Sequence, residues 1–157
     1  MPITKVKSEW VAGALVFKNA SGNELVRIAD DAVYGRQGAP AAETGAATVS
    51  AADIITGLVT ITQSTGSTVA LTLDTGTAMD TALTNALGTD ISFDWSVINL
   101  SAAAADTATV TASSGHTVVG TMICQSAHST TGLIHGNALR LRTRRTAANT
   151  WITYRLA

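Results

Sequence analysis

The chain has 157 residues and a formal net charge of −1, and it is 46% apolar, 13% charged and 4% aromatic. That length suits one core-forming domain, with or without an appendage, and its charge content falls well below the roughly 25% of an average soluble domain. Near-neutrality gives no general reason to expect nucleic acid, no apolar run approaches the roughly 20 residues of a membrane span, and the single Cys124 permits no intrachain disulfide and reads as a buried, inert thiol.

The segment from Met1 to Trp10 lacks the basic-then-apolar order of a signal peptide, so synthesis in a cytoplasm without export by that route is expected. Residues 1–45 hold ten of the twenty-one charged residues and three of the aromatics. Val11 to Phe17 and Glu24 to Ile28 read as short strands joined by the turn Asn19-Ala20-Ser21-Gly22-Asn23. Gly35 to Ala47, with Pro40, reads as a linker. A hairpin this small does not stabilise itself. It must lie on the main domain, a neighbouring subunit or an external surface, with Trp10, Leu15, Phe17, Leu25 and Ile28 as its apolar anchors.

Residues 46–157 are the expected main domain. Ser50-Ala51-Ala52-Asp53 has the form of a capping box, and Gly57 closes the short helix behind it. Strands are expected at Leu58 to Thr62 and Thr68 to Leu73. Thr77-Ala78-Met79-Asp80 repeats the capping form, with Ala82, Leu83, Ala86 and Leu87 at helical spacing and Gly88 as the stop. Ile91 to Ile98, Thr107 to Ala112, His116 to Val119, Ala138 to Thr143 and Thr150 to Leu156 continue the strand pattern. Many short strands at this spacing point to an all-β protein, an antiparallel β-sandwich or jelly roll with one or two short helices, rather than a parallel α/β sheet.

Charge is segregated along the chain. No lysine or arginine stands between Arg36 and Arg140, an interval holding Glu43, Asp53, Asp74, Asp80, Asp90, Asp94 and Asp106. An ordinary monomer intersperses both signs for solubility, so this pattern suggests surface hidden against copies of the chain or another protein. In 90–97, Asp90, Ser92, Asp94 and Ser96 share one strand face, while Ile91, Phe93, Trp95 and Val97 share the face turned to the core. In 139–144, Arg140, Arg142 and Arg144 oppose Leu139 and Leu141 in the same way. The acids and arginines form either a solvated sheet face with loose ion pairs or a row that meets its counterpart within or between subunits. On the second reading Asp90, Asp94, Arg140, Arg142 and Arg144 are subunit-interface residues. No aromatic platform is interleaved with the arginines, which speaks against nucleic acid.

Enzyme signatures are missing. There is no G-x-S-x-G, H-E-x-x-H, Walker A or G-x-G-x-x-G pattern. His116 follows Ser113-Ser114-Gly115 and reads as a turn residue, while His128 and His135 fall in a Ser/Thr/Gly loop without zinc spacing. Paired carboxylates for glycoside chemistry would need an aromatic-lined cleft, and the chain has seven aromatics. No catalytic residue, metal ligand or cofactor is assigned.

Thr48 to Val59, Ala70 to Gly76, Ile91 to Asn99, Ala108 to Ala112, Gly115 to Met122 and Leu139 to Leu156 together resemble the decoration (cement) and head-fibre proteins of tailed bacteriophages, over about residues 44–156. The match is one of pattern and order. The resemblance implies a homotrimeric β-structured virion protein, assembled in the host cytoplasm and seated on the outside of the head. Its partners would be its own copies and the major capsid protein, with neither nucleic acid nor membrane. The N-terminal arm, through Trp10, Leu15, Phe17, Leu25 and Ile28, would then lie on the capsid shell or on a neighbouring subunit. The same kind of domain also serves as a receptor- or carbohydrate-binding module of a fibre or spike, and the scarcity of Trp and Tyr in 46–157 weighs against that use.

Overall fold

A computed structural model describes residues 7–12, 14–18, 21–22, 24–28, 33–35, 38–83, 90–126 and 136–157. The chain divides into two compact units, Met1–Gly38 and Ala39–Ala157.

The first unit is an antiparallel four-stranded sheet of β1 (Lys7–Val11), β2 (Ala14–Lys18), β3 (Glu24–Ile28) and β4 (Val33–Gly35), ordered as in the chain. The single strand expected over Val11 to Phe17 is in fact broken. Ala12 takes φ 48, and the chain reverses so that Val11 pairs with Ala14. Apolar alternation runs straight through a turn this tight, so periodicity alone misses it. Most of the expected turn over 19–23 lies outside the described residues.

The second unit begins inside the expected linker. Residues 41–43 and 47–49 form β5 (Ala41–Glu43) and β6 (Ala47–Val49), and both are paired into sheets. Then come α1 (Ala51–Thr56), β7 (Leu58–Ile61), β8 (Thr68–Leu73), α2 (Gly76–Ala82), β9 (Ser92–Asn99) and β10 (Thr107–Thr111). β11 (His116–Val119), β12 (Ile123–Cys124), β13 (Ala138–Ala147) and β14 (Thr150–Arg155) complete it. One sheet has the order β11-β14-β13-β9-β7-β5 and the other β12-β10-β8-β6.

The mainly-β character stands, but the antiparallel expectation does not. Among the described residues β5–β7, β7–β9, β6–β8, β8–β10 and β11–β14 are parallel pairs. Within the second unit, the antiparallel pairs among the described residues are β9–β13, β13–β14 and β10–β12. The cause is the winding. From β5 to β10 the chain visits the two sheets alternately, so each return to a sheet enters in the direction of the previous visit. Short loops join β5 to β6, β7 to β8 and β9 to β10 at one end, while α1 and α2 make the connections at the other. These are called the loop end and the helical end below.

Both sheets contribute to one apolar cluster. Val59, Ile61, Trp95, Val97, Leu139, Leu141 and Trp151 come from the first sheet, and Val49, Leu71, Leu73, Ala108, Val110 and Cys124 from the second. Ile54 and Met79 close it from α1 and α2. The cap of α1 is as expected, with Ser50 and Asp53 forming the capping box and Gly57 in the left-handed conformation behind it. The second helix differs. Thr75, not Thr77, is its N-cap, and its side chain accepts from the Ala78 amide at 3.1 Å. Its first residue is Gly76, where a Cβ would stand 2.0 Å from the Asn149 carbonyl oxygen and 2.6 Å from that of Gly115. The helix therefore starts where three backbone segments cross. Asp80 lies beyond the capping positions, and Ala86, Leu87 and Gly88 lie outside the described residues.

Candidate functional site

The antiparallel pairing of β13 with β9 sets Arg140, Arg142 and Arg144 opposite Ser96, Asp94 and Ser92. Arg142 donates to both carboxylate oxygens of Asp94, from Nε at 2.6 Å and Nη2 at 3.0 Å. Arg140 Nη2 reaches the same carboxylate at 3.2 Å, and Arg144 pairs with Asp90. Arg142, and after it Arg140, hold the Asp94 carboxyl below the usual carboxylate range, with burial opposing. The acids and arginines singled out in the sequence thus find each other within one chain. The arginine side chains remain about half exposed, where a pair is worth no more than about 1 kcal/mol.

A second, enclosed ion pair was not foreseen. Arg145 donates to Asp80 from Nε at 2.9 Å and Nη2 at 2.8 Å. The same carboxylate accepts the Asn149 amide and the Trp151 indole Nε1, each at 2.8 Å. Asp80 is held far below the ordinary carboxylate range, first by Arg145 and then by Asn149 and Trp151, with burial opposing. A signal for it was present in the sequence. Arg145 has the same parity as Leu139, Leu141 and Thr143, so alternation along β13 turns it inward, and an inward arginine requires an acid.

His116 opens β11, as the expected strand over His116 to Val119 has it, but it is only 4% exposed and not an ordinary turn residue. Its Nε2 is 2.8 Å from Thr153 Oγ1, which is 2.7 Å from Thr143 Oγ1, and Trp95 Nε1 donates to Thr143 Oγ1 at 2.8 Å. Its Nδ1 is 3.2 Å from the Asp74 carbonyl oxygen. An indole N–H only donates and a carbonyl only accepts. The Asp74 carbonyl calls for a proton on Nδ1, and a neutral ring of that tautomer accepts at Nε2 from Thr153, which accepts from Thr143, which accepts from Trp95. Burial lowers its pKa, with the Asp74 carbonyl and charge opposing. His128 and His135 lie outside the described residues.

The N-terminal anchors separate by face. The registers place Trp10 opposite Leu15 and Leu15 opposite Ile28, and in the next row Phe17 opposite Val26. This apolar face is open: Trp10, on the edge strand, is 76% exposed, Ile28 is exposed, and Leu15, Phe17 and Val26 are half-buried. The opposite face is buried at Ala14 and Val16. The side chain of Leu25 lies outside what the structure describes.

Both ring nitrogens of His116 are engaged, and burial pushes the fully enclosed Cys124 thiol up to about 11. Among the described residues no group of three or more His, Cys, Asp or Glu is disposed to hold a metal ion, and no helix is long and apolar enough to cross a membrane. No family model, no curated protein and no solved structure matches the chain.

Proposed function

We propose that this chain is a virion structural protein, a homotrimeric decoration protein that sits on the outside of a phage head and stabilises it. The observation that carries this reading is the open apolar face of the N-terminal unit. A sheet with apolar side chains on both faces needs a layer on each, and the face of Trp10, Leu15, Phe17, Val26 and Ile28 is left for another molecule. Three strands about 4.8 Å apart, carrying two side-chain rows, make a patch of roughly 200 Å², well under the ~800 Å² per partner of a stable complex. One such face binds weakly. Three on a trimer, laid on a repetitive shell of major capsid protein, add through effective concentration.

The second unit serves as the sandwich-like body that carries the arms, and its subunit contact lies on the outer face of the six-stranded sheet. There Val119, Tyr154, Arg142 and Asp94 form one row across four strands, beside Arg140 and Arg144. Val119 is 46% exposed and Leu156 45%. Because each arginine already has an acid in its own chain, this contact rests on tyrosine, aliphatic and arginine surface and not on exchange of ion pairs.

Replacing Trp10 by Asp in the full chain tests the arm. The variant is expected to keep its stability and its oligomeric mass but to lose co-sedimentation with heads assembled without this protein; undiminished co-sedimentation rejects the arm assignment. Arg142→Glu places two acids side by side on the body face and is expected to lower the native mass. A trimer unchanged by light scattering removes that face from the subunit contact.

A further inference from the structure

At the loop end of the second unit the space between the sheets stops being apolar. Following the inward positions past Ile61, Val97, Ala108 and Cys124, the next residues are Gln63, Asn99, Asp106 and Ser126, all buried. Most of their hydrogen-bonding groups are used among themselves and their neighbours. Asn99 Nδ2 donates to the carbonyls of Asp106 at 2.9 Å and Cys124 at 3.2 Å, tying the two sheets together. Gln63 Nε2 donates to the Thr107 carbonyl at 2.7 Å, and the Gly66 amide donates to Asp106 Oδ1 at 2.7 Å.

Of these four side chains, Asp106 and Ser126 each keep an enclosed oxygen without a partner, Oδ2 and Oγ, and Oε1 of Gln125, the residue before Ser126, is likewise unpaired. Asp106 and Ser126 belong to one wall. β10 and β12 pair with Ala108 opposite Cys124, and Asp106 and Ser126 each lie two residues beyond that last pair, toward the loop end and in the same inward alternation. Asp106 is 1% exposed, and no lysine, arginine or histidine among the described residues pairs with it.

An enclosed carboxylate without a counter-charge is costly. A water molecule between the two oxygens would complete their hydrogen bonds and leave the charge. A small cation answers both needs. The free donors are oxygens, which select a hard ion, and a single carboxylate balances a single positive charge. We propose that Asp106 Oδ2 and Ser126 Oγ bind a monovalent hard cation of the sodium type that closes the loop end of the core.

The test uses the full chain in choline chloride, titrated with NaCl at constant ionic strength, with urea unfolding and ²³Na line width as readouts. Above the dissociation constant the folding equilibrium constant should rise nearly in proportion to sodium, by about tenfold per tenfold increase, and ²³Na should broaden. Asp106→Asn keeps an acceptor for Gly66 and offers Ser126 an amide in place of a charge; it should lose both responses. Ser126→Ala, the milder change, should weaken the sodium response while leaving the chain folded. Equal responses in wild type and Ser126→Ala, or no sodium response in the wild type, overturn the proposal. A response to CaCl₂ that exceeds the one to NaCl overturns the monovalent assignment.

Discussion

Two aspartates of this chain each take a two-pronged bond from an arginine, and they should differ several-fold in what they contribute. Asp80→Ala removes four hydrogen bonds at 2.8–2.9 Å, two of them from Arg145, and takes the carboxylate acceptor from the indole N–H of the fully buried Trp151. Removing one partner of a buried pair costs about 3–5 kcal/mol. The pair lies at the helical end, where β13, β14 and α2 meet, so the loss falls on the cooperative core of the second unit. For a unit of this size roughly 3–5 °C of melting temperature follows each kcal/mol, and the midpoint should fall by about 10–20 °C. Asp94→Ala breaks an equally well-aligned pair on the solvent side of β9 and should cost less than about 1 kcal/mol, an effect that added salt screens. Calorimetry of both variants at neutral pH, at low and high salt, makes the comparison. Equal shifts, or a fall of less than about 3 °C for Asp80→Ala, would refute the view that enclosure rather than bond geometry sets the difference. Acid adds a check. Because the folded carboxyl of Asp80 is depressed, its contribution is complete above the unfolded pKa of 3.8 and is lost as pH falls below it. The acid limb of the stability curve should therefore flatten in Asp80→Ala.

His116 titrates with the opposite chemistry and a similar sign. Burial lowers its folded pKa, so as pH drops below about 6.5 the unfolded chain takes up a proton that the folded chain refuses, and stability declines. In His116→Gln, which can still accept from Thr153, urea midpoints at pH 7.5 and 5.5 should lie closer together than in the wild type; an unchanged gap rejects the role of His116. Long-range ¹H–¹⁵N spectra at pH 7.5 should show the Nδ1–H tautomer. Gly76→Ala forces a Cβ into the Asn149 and Gly115 carbonyls and should cost about 1–3 kcal/mol by overpacking, seen as a lower urea midpoint. An unchanged midpoint would mean that the backbone crossing at the helical end is not tightly packed.

Much of the candidate surface was legible because strand periodicity reports faces. Alternation put Trp95 and Val97 inside, Asp94 and Arg142 outside, and Trp10, Leu15 and Ile28 among the apolar residues of the arm. The same parity also turned Arg145 inward, yet its partner Asp80 was hidden by a plausible capping pattern that the crossing at Gly76 displaces. His116 was read from the turn beside it, and the hydroxyls that engage it, Thr143 and Thr153, sit on two other strands.

By itself the sequence determined that this is a strand-rich chain, where most strands lie, which side of each is apolar and how α1 is capped, because these depend on spacing within a few residues. Only the tertiary structure decided that the strands of the second unit run mostly parallel, that Asp80 belongs to Arg145, and that the loop end of the core is lined with polar side chains. Strand direction and partner choice depend on which sheet the chain returns to after each coil. A period of two is the same for a strand running either way.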